Sequence, residues 1–299
     1  MMGTPTGRTT FQGFWHGPPL GYLRRACLSS FVRLGHAFHL YVYDGIDVPE
    51  GVILKDASEI IPREELFYFQ NPDTAKPDLG PFSDLFRFRL LMMRGGWWSD
   101  VDTVCLSADV PLTDRAWARE HPEHNPAAVG TSQIAFAAAD PVVSELYARC
   151  LALSRTAFTP REALGPLLIS RTIADLGLPL DMVGTSELFY PIRWVEMFKL
   201  WLPEFTEEIQ GKARYAIFMP IYQSFCFYMG LDLAKLPPSG SFLGSVCERY
   251  LPRNEGQDRY DPGEIRALTR SYLLRNESWA IDELRAVSGS AIIEWLHRD

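Results

Sequence analysis

Residues 82–102 read FSDLFRFRLLMMRGGWWSDVD, and this order predicts a helix, a sharp turn and a strand in succession. The segment Ser83–Arg94 is amphipathic, and its serine suits the N-cap of a helix. The pair Gly95-Gly96 supplies the stop, because helices commonly end at a glycine in the left-handed conformation. The aromatic-led segment Trp97–Cys105 is then expected to form one strand.

Four charged side chains in this stretch form the candidate site. Asp84 and Arg87 are three positions apart, so both project from one side of the helix's first turn. A carboxylate that accepts and a guanidinium that donates hydrogen bonds can together hold a polyhydroxyl ligand. Asp100 and Asp102 are two positions apart on the predicted strand, so their carboxylates are expected to point the same way. Paired oxygen ligands at a strand end suit Mg²⁺ or Mn²⁺, with phosphate oxygens and water completing the coordination shell.

The electrostatics of the aspartate pair indicate what such a cation would do. Two carboxylates facing an anionic diphosphate would repel it by roughly 4 kcal/mol per close charge pair at an effective dielectric constant near 20. A divalent cation between them reverses that sign and also stabilises charge on a departing phosphate. The pair therefore predicts a metal-dependent reaction at a phosphate-bearing donor. A lone Asp-x-Asp is expected by chance in a chain of this length, so the prediction depends on the helix and the turn that precede it.

The segments on either side predict an α/β fold. Before the stretch, strand signals at 11–15, 38–43 and 52–54 alternate with a helix at 20–34, which is the order of a βαβ unit in a parallel sheet. After it, a capping box at residue 159 opens a helix to about residue 176, and a second at residue 261 opens a helix to about residue 274. The simplest architecture is one large α/β domain with additional C-terminal helices.

The composition excludes several classes of protein. The chain has 299 residues, 47% of them apolar and 22% charged, which is ordinary globular usage. Its formal net charge of −8 argues against a nucleic-acid partner, since non-specific binding there needs clustered lysine and arginine. The five cysteines are scattered and form no C-x-x-C pair, so buried reduced thiols are expected. No apolar run reaches the length of a transmembrane helix, and the first ten residues lack a signal-peptide core, which predicts a cytoplasmic protein.

The compound pattern resembles the sugar-binding region of the DXD-motif glycosyltransferases. That family includes bacterial capsular-polysaccharide transferases and eukaryotic α-mannosyltransferases, and it is related to the large glucosylating toxins. Its signature is similar to Ser-Asp-x-x-Arg, about seven residues, Gly-Gly, an aromatic pair or aromatic-x, and Asp-x-Asp. In this chain the matching residues are, in order, Ser83, Asp84, Arg87, Gly95, Gly96, Trp97, Trp98, Asp100 and Asp102. The resemblance is specific over about residues 11–105 and thin beyond them.

The resemblance implies a GT-A-type fold, in which a Rossmann-like nucleotide-sugar-binding sheet is merged with an acceptor-binding part. We therefore expect one glycosyltransferase domain at 1–250, with a nucleotide-sugar-binding part at 1–108 and an acceptor-side part at 109–250, and a helical extension at 251–299. The implied reaction moves a hexose from a nucleoside-diphosphate sugar to a hydroxyl of a glycan or glycolipid, with retention. Relatives in the Golgi carry a membrane anchor, so this chain resembles a bacterial cytoplasmic form that would meet a lipid-linked acceptor peripherally, at the inner face of the membrane.

The same resemblance implies roles for the four charged residues. Asp100 and Asp102 would hold Mn²⁺ or Mg²⁺ and, through it, the donor diphosphate. Asp84 and Arg87 would contact the ribose or the transferred sugar of the donor.

Three residues outside the stretch enter the prediction through the resemblance. Trp15, at the end of the first strand, is expected to stack on the nucleotide base, with a core aromatic as the alternative. Ser241 would offer its hydroxyl to metal or phosphate, with a plain Pro/Gly/Ser turn as the alternative. Pro220 stands where many bacterial relatives have a histidine, which puts a third protein ligand for the metal in doubt.

Two other functions stay open at this point. The run Asp100-Val101-Asp102-Thr103-Val104 is similar to the nucleophile motif of haloacid-dehalogenase-type phosphatases, in which the first aspartate attacks phosphate. That motif should follow an apolar strand near the N-terminus and be supported by a later acidic pair, and neither feature is present. A catalytically weakened nucleotide-sugar-binding protein would account for Pro220, but the intact pair Asp100 and Asp102 argues against it.

Overall fold

The computed structural model describes residues 5–70, 77–122, 125–156, 160–251 and 258–275, together with residues 282, 284–286, 292, 294 and 295. In this part of the chain the strands are β1 (Thr6–Gly7), β2 (Thr10–Trp15), β3 (Ala37–Val42), β4 (Val52–Asp56), β5 (Phe69–Gln70), β6 (Pro77–Asp78), β7 (Gly96–Ser99), β8 (Thr103–Cys105), β9 (Val110–Pro111), β10 (Arg115–Ala116), β11 (Gln133–Phe136) and β12 (Phe218–Pro220). The α-helices are α1 (Tyr22–Arg33), α2 (Gly80–Arg94), α3 (Pro141–Ser154), α4 (Pro166–Asp175), α5 (Ser186–Phe189), α6 (Thr206–Ala213), α7 (Gln223–Met229), α8 (Phe242–Tyr250) and α9 (Pro262–Arg275). Short 3₁₀ helices occupy Ala57–Glu59, Arg63–Glu65, Arg161–Leu164, Trp194–Trp201 and Pro203–Phe205.

The main sheet has six strands in the order β10-β11-β7-β2-β3-β4. Strands β7, β2, β3 and β4 are parallel, whereas β11 runs antiparallel to β7 and β10 antiparallel to β11. The expected α/β class, with a mostly parallel sheet built on the unit β2-α1-β3, is therefore confirmed. In such sheets ligands bind beyond the carboxyl ends of the parallel strands.

Both faces of the sheet are covered, because strand β2 sends aromatic side chains to each side. Phe11 packs on Phe31 of α1, with their ring centroids 4.7 Å apart. Phe14 packs on Phe86 of α2 on the other face, with the centroids 4.4 Å apart. A strand covered on both faces is buried along its length, and residues 11–14 of β2 are all buried, including the polar Gln12.

The predicted start of the helix in the segment 82–102 was wrong. Helix α2 begins at Gly80 rather than at Ser83, and the backbone N–H of Ser83 already donates to the carbonyl of Leu79 at 2.9 Å. A proline in the first turn is compatible with this earlier start, since its missing N–H has no helical partner there. The helix ends as expected at Gly95, whose φ of 64° is in the left-handed region that favours glycine.

The single strand expected at 97–105 is also wrong, and it is broken at the aspartate pair. Strand β7 belongs to the six-stranded sheet, whereas β8 pairs antiparallel with β12 in a separate two-stranded sheet. Asp100 and Asp102 lie in the turn between them. Their relative direction therefore follows from this turn and not from the alternation of an extended strand.

The later helices agree in part with the sequence. The helix expected from residue 159 is divided into a 3₁₀ turn and α4, because Gly165 and Pro166 interrupt it. Thr159 itself lies outside the described residues. The helix expected at 261 is confirmed as α9, and the backbone N–H of Asp261 donates to Glu264 Oε2 at 2.9 Å, as in a capping box. The boundaries 1–108, 109–250 and 251–299 stay a prediction.

The cysteines and the apolar segments are the two features of the composition on which the structure bears. All five cysteines are buried, and none forms a disulfide within the described residues, as expected. None of the helices in the described ranges combines the length and the apolar character needed to cross a bilayer.

Candidate functional site

The turn that carries Asp100 and Asp102 lies at the carboxyl end of β7, beside the carboxyl end of the parallel strand β2. Its backbone is closed by two hydrogen bonds: the N–H of Asp100 donates to the carbonyl of Ser132 at 3.0 Å, and that of Thr103 donates to the carbonyl of Asp100 at 3.2 Å. This is the edge of a parallel sheet at which ligands bind.

Arg87 joins the helix to this turn. Its Nη1 donates to Asp84 Oδ1 and its Nη2 to Asp100 Oδ1, both at 2.7 Å. The Arg87 side chain is only 5% exposed, and its guanidinium lies 4.8 Å from the ring centroid of Trp98. One buried cation therefore holds two carboxylates that are remote in sequence, and the predicted residues Asp84, Arg87 and Asp100 form one cluster.

Asp100 is held by two donors and remains partly open to solvent. Trp98 Nε1 donates to the same Oδ1 that Arg87 contacts, at 2.7 Å, and the Asp100 side chain is 26% exposed. The two donors fix the carboxylate by one oxygen. The exposed fraction leaves the group accessible to a ligand.

Asp84 is more deeply buried than Asp100, with a side chain that is 12% exposed against 26%. It packs against Gly165, where an added Cβ would lie 2.5 Å from Asp84 Oδ2. Burial raises the pKa of Asp84 to about 6, and the charge of Asp100 acts in the same direction, while the charges of Arg87 and Arg161 limit the rise. The contacts give Asp84 a role in positioning Arg87; the predicted contact of Asp84 and Arg87 with the donor stays a prediction.

The raised pKa of Asp84 predicts a particular dependence of stability on pH. The folded state binds this proton more tightly than the unfolded chain, with a pKa of about 6 against 3.8, so the contribution is fully present below about pH 4 and is lost as the pH rises through 6. Relative to Asp84→Asn, the free energy of unfolding of the wild type should fall by at most about 3 kcal/mol between pH 4 and pH 7. Urea unfolding of both proteins across this range measures the difference, and a constant difference would contradict the assignment.

Asp102 is held from the opposite side of the turn. The backbone N–H of Gln223, the first residue of α7, donates to Asp102 Oδ2 at 2.8 Å, and the N–H of Ile221 donates to the Asp102 carbonyl at 2.9 Å. Burial raises the pKa of Asp102, as does the charge of Asp100, and the Gln223 N–H and the charge of Arg24 oppose this. The two aspartates are therefore close enough for their charges to interact.

The resemblance also added Trp15 and Ser241, and the structure gives these two residues different surroundings. Trp15 is half-buried at the end of β2; its Nε1 donates to the carbonyl of Pro18 at 2.9 Å, and the Arg24 guanidinium lies 4.2 Å from its ring centroid. Burial lowers the pKa of Arg24 and the charge of Asp102 opposes this, so Arg24 lies near both Trp15 and Asp102. Base stacking by Trp15 stays a prediction.

Ser241 has a structural role instead of a place in the cluster. It is fully buried as the N-cap of α8, where its Oγ accepts from the N–H of Gly244 at 3.0 Å and donates to the carbonyl of Pro238 at 2.7 Å. A buried capping hydroxyl does not reach a ligand in this conformation, so the contacts favour the turn alternative over a phosphate or metal contact.

Two neighbours of the turn, Tyr222 and Glu120, were not predicted from the sequence, whereas Pro220 was singled out there. Pro220 pairs with Thr103 across β12 and β8, one position from Asp102, and its side chain has no ligand atom. The hydroxyl of Tyr222 donates to Glu120, whose pKa is raised first by burial and also by the charge of Asp100. No local pattern marks Tyr222 or Glu120. Tyr222 reaches the turn through the pairing of β12 with β8, and Glu120 is joined to it by the hydrogen bond from the Tyr222 hydroxyl.

A polar cavity adjoins this side of the cluster. It has a volume of about 330 Å³ and is lined in part by Glu120, Tyr190 and Arg193. A larger and more open cavity of about 800 Å³ lies around Gly96 and Arg115, at the other end of β7 and away from the aspartates.

The carboxylate oxygens of Asp100 and Asp102 fit a cation that binds together with its substrate. In the described part of the chain, no group of three or more His, Cys, Asp or Glu side chains could hold a metal ion. Mg²⁺ is commonly bound through only one or two carboxylates plus substrate phosphates, and Asp100 and Asp102 supply that number. The residues present therefore suit Mg²⁺ or Mn²⁺ shared with a diphosphate more than a dedicated protein cage.

Comparison with known proteins gives only distant likenesses. No family model and no curated protein matches the chain. Among solved structures it is similar to the glycosyltransferase PaToxG, with a TM-score of 0.41 and 10% identity over 85% of this chain and 88% of that chain. It is similar to a mutant transferase, with a TM-score of 0.36 and 14% identity over 59% of this chain and 87% of that chain. It is also similar to the apo form of the glycosyltransferase GlyE of Streptococcus pneumoniae TIGR4, with a TM-score of 0.37 and 9% identity over 89% of this chain and 63% of that chain. TM-scores of this size are too low to carry a functional argument.

Proposed function

We propose that the protein is a metal-dependent glycosyltransferase with a GT-A-type fold, which moves a sugar from a nucleoside-diphosphate sugar to a hydroxyl of a glycan or glycolipid. The observation that carries this proposal is the Asp84–Arg87–Asp100 cluster beside Asp102, at the carboxyl ends of parallel strands. An acidic protein that binds an anionic diphosphate needs a cation at the point of contact, and this turn offers two carboxylates for one.

Each member of the cluster has a task in this proposal. Asp100 and Asp102 would hold Mn²⁺ or Mg²⁺, which when bound neutralises charge on the departing diphosphate. Arg87 fixes the direction of the Asp100 carboxylate, because both of its Nη atoms are committed to aspartates. Asp84 in turn fixes Arg87. Asp100 Oδ1 already accepts two hydrogen bonds, so Oδ2 is the oxygen proposed to contact the cation.

The acceptor is proposed to enter from the side of Glu120. The cavity of about 330 Å³ there is lined by ionisable side chains of both signs, among them Glu120 and Arg193, which suits a hydroxyl-rich acceptor. We propose retention of configuration from the resemblance alone and nominate no protein base. A lipid-linked acceptor would require peripheral contact with a membrane.

A catalytically weakened nucleotide-sugar-binding protein is the second candidate. Pro220 favours it, because this residue lies opposite Thr103, beside the aspartate turn, and contributes no ligand. Such a protein would bind a nucleoside diphosphate with Mn²⁺ but turn over no nucleotide sugar.

One experiment separates these functions. A panel of nucleoside diphosphates with and without Mn²⁺ is first screened by thermal shift, because a ligand that binds only the folded state raises its apparent stability. The sugar forms of the best base are then tested for hydrolysis with and without Mn²⁺. We expect Mn²⁺-dependent release of sugar, and binding without release would support the second candidate. Cleavage of p-nitrophenyl phosphate without any nucleotide-sugar turnover would contradict the proposal and favour the phosphatase.

A further inference from the structure

A buried glutamine beside Asp102 carries an oxygen that lacks a hydrogen-bond donor. Gln223 is 6% exposed, and its Oε1 is buried without a partner. The backbone N–H of the same residue donates to Asp102 Oδ2 at 2.8 Å. Buried acceptors are almost always paired, and a bound ion or water is among the reasons for a fold to retain an unpaired one.

The backbone around Gln223 is held against the aspartate turn. Tyr222 has a φ of 40°, which is uncommon for a residue other than glycine and is typical of functional sites. Its hydroxyl donates to Glu120, and the preceding N–H of Ile221 donates to the carbonyl of Asp102. These contacts fix the first residue of α7 beside the carboxylates.

A second buried glutamine on the other side of the turn allows a comparison. Gln133 lies opposite Ser99 in the sheet, and its Nε2 donates to Thr103 Oγ1 at 2.6 Å, while its Oε1 also lacks a donor. That hydrogen bond fixes the amide of Gln133. Among the hydrogen bonds of the described residues, none fixes the amide of Gln223, so this amide can turn its oxygen toward a ligand.

We propose that Gln223 supplies, through Oε1, a third protein oxygen to a divalent cation held by Asp100 and Asp102. This inference rests on the proposed function, which requires the cation. An amide oxygen is a hard ligand of the kind that Mg²⁺ and Mn²⁺ accept beside carboxylates. It also adds no negative charge to a turn that already carries the two carboxylates of Asp100 and Asp102.

Binding of Mn²⁺ tests the role of Gln223 without any turnover. Free Mn²⁺ is measured by electron paramagnetic resonance during titration, with the metal alone and with inorganic pyrophosphate as a diphosphate probe. Gln223→Met keeps the length of the side chain but has no oxygen, and we expect its Kd for Mn²⁺ to rise at least about 10-fold. Gln223→Glu restores an oxygen and adds charge, so its Kd should equal or fall below that of the wild type. Gln133→Met is the matched control and should bind Mn²⁺ as the wild type does.

Each outcome of these titrations decides the matter. Unchanged affinity in Gln223→Met overturns the role of Gln223 and leaves the proposed function intact. Equal weakening in Gln133→Met indicates general loosening of the turn and overturns it as well. If Gln223→Met does not fold by circular dichroism, Gln223→Glu decides, and weaker binding there contradicts the proposal. A wild type that binds no Mn²⁺ under either condition removes the cation from the proposed function and this inference with it.

Discussion

Asp102→Asn is expected to abolish Mn²⁺-dependent hydrolysis of the nucleotide sugar while leaving the protein at least as stable as the wild type. Asparagine still presents an oxygen to the N–H of Gln223, so the hydrogen bond that holds the turn is kept. The ionised carboxylate is disfavoured by burial and by Asp100, both of which raise its pKa, so a neutral side chain removes a cost of folding. Even partners that only orient metal ligands give losses of about 10–100-fold, so a direct ligand should exceed roughly 100-fold.

Rates and melting temperatures are measured together for Asp102→Asn and for a control, Asp47→Asn. Asp47 is an exposed aspartate paired with Arg25 on the surface, so the same chemical change there should alter neither quantity. Full activity in Asp102→Asn would remove the metal-binding turn from the mechanism. A large loss of stability would show that the main role of Asp102 is to hold the turn in the folded protein.

Arg87→Ala is expected to be the most destabilising single substitution in the cluster. Its guanidinium is buried between Asp84 and Asp100, and removing one partner of a buried ion pair leaves uncompensated charge at a cost of about 3–5 kcal/mol. Activity should be lost as well, because the carboxylate of Asp100 loses the donor that fixes its direction. Urea unfolding at neutral pH measures the loss of stability.

Two further variants separate geometry from charge. Arg87→Lys keeps the positive charge but lacks the two Nη donors in fixed geometry, so it should recover only part of the stability. Arg94→Ala, which removes an exposed pair with Glu59, should change the free energy of unfolding by at most about 1 kcal/mol. Equal effects of Arg87→Ala and Arg94→Ala would contradict the bridging role.

The parallel sheet was predictable because its signals are local. Strands β2 and β3 and the helix between them each show their own periodicity and their own glycine or proline boundaries. The start of α2 was missed because Ser83 is a good capping residue, yet the preceding Gly80 and Pro81 can enter the first turn. The break after Ser99 could not be seen, since it depends on a partner strand that begins far along the chain at Phe218.

The candidate site, like the fold, was predictable only in part. The spacing of Asp84 and Arg87 predicted that they lie together. The contact of Arg87 with Asp100 was not predictable, because it depends on how α2 packs on the sheet. Gln223 carries no motif and reaches the turn through the pairing of β12 with β8, and Glu120, which also carries none, is joined to the turn through Tyr222. For Ser241, a serine just before an amphipathic segment is itself a capping signal, and it would have indicated the structural role.

The hydrogen bond between Gln223 and Asp102 spans 121 positions of the chain. All six strands of the main sheet lie within residues 10–136, so during synthesis they leave the ribosome long before α7 does. Domains generally fold as units while translation proceeds. The sheet and both aspartates are therefore made first, and the turn between β7 and β8 obtains its last backbone donor only after the ribosome has passed Gln223.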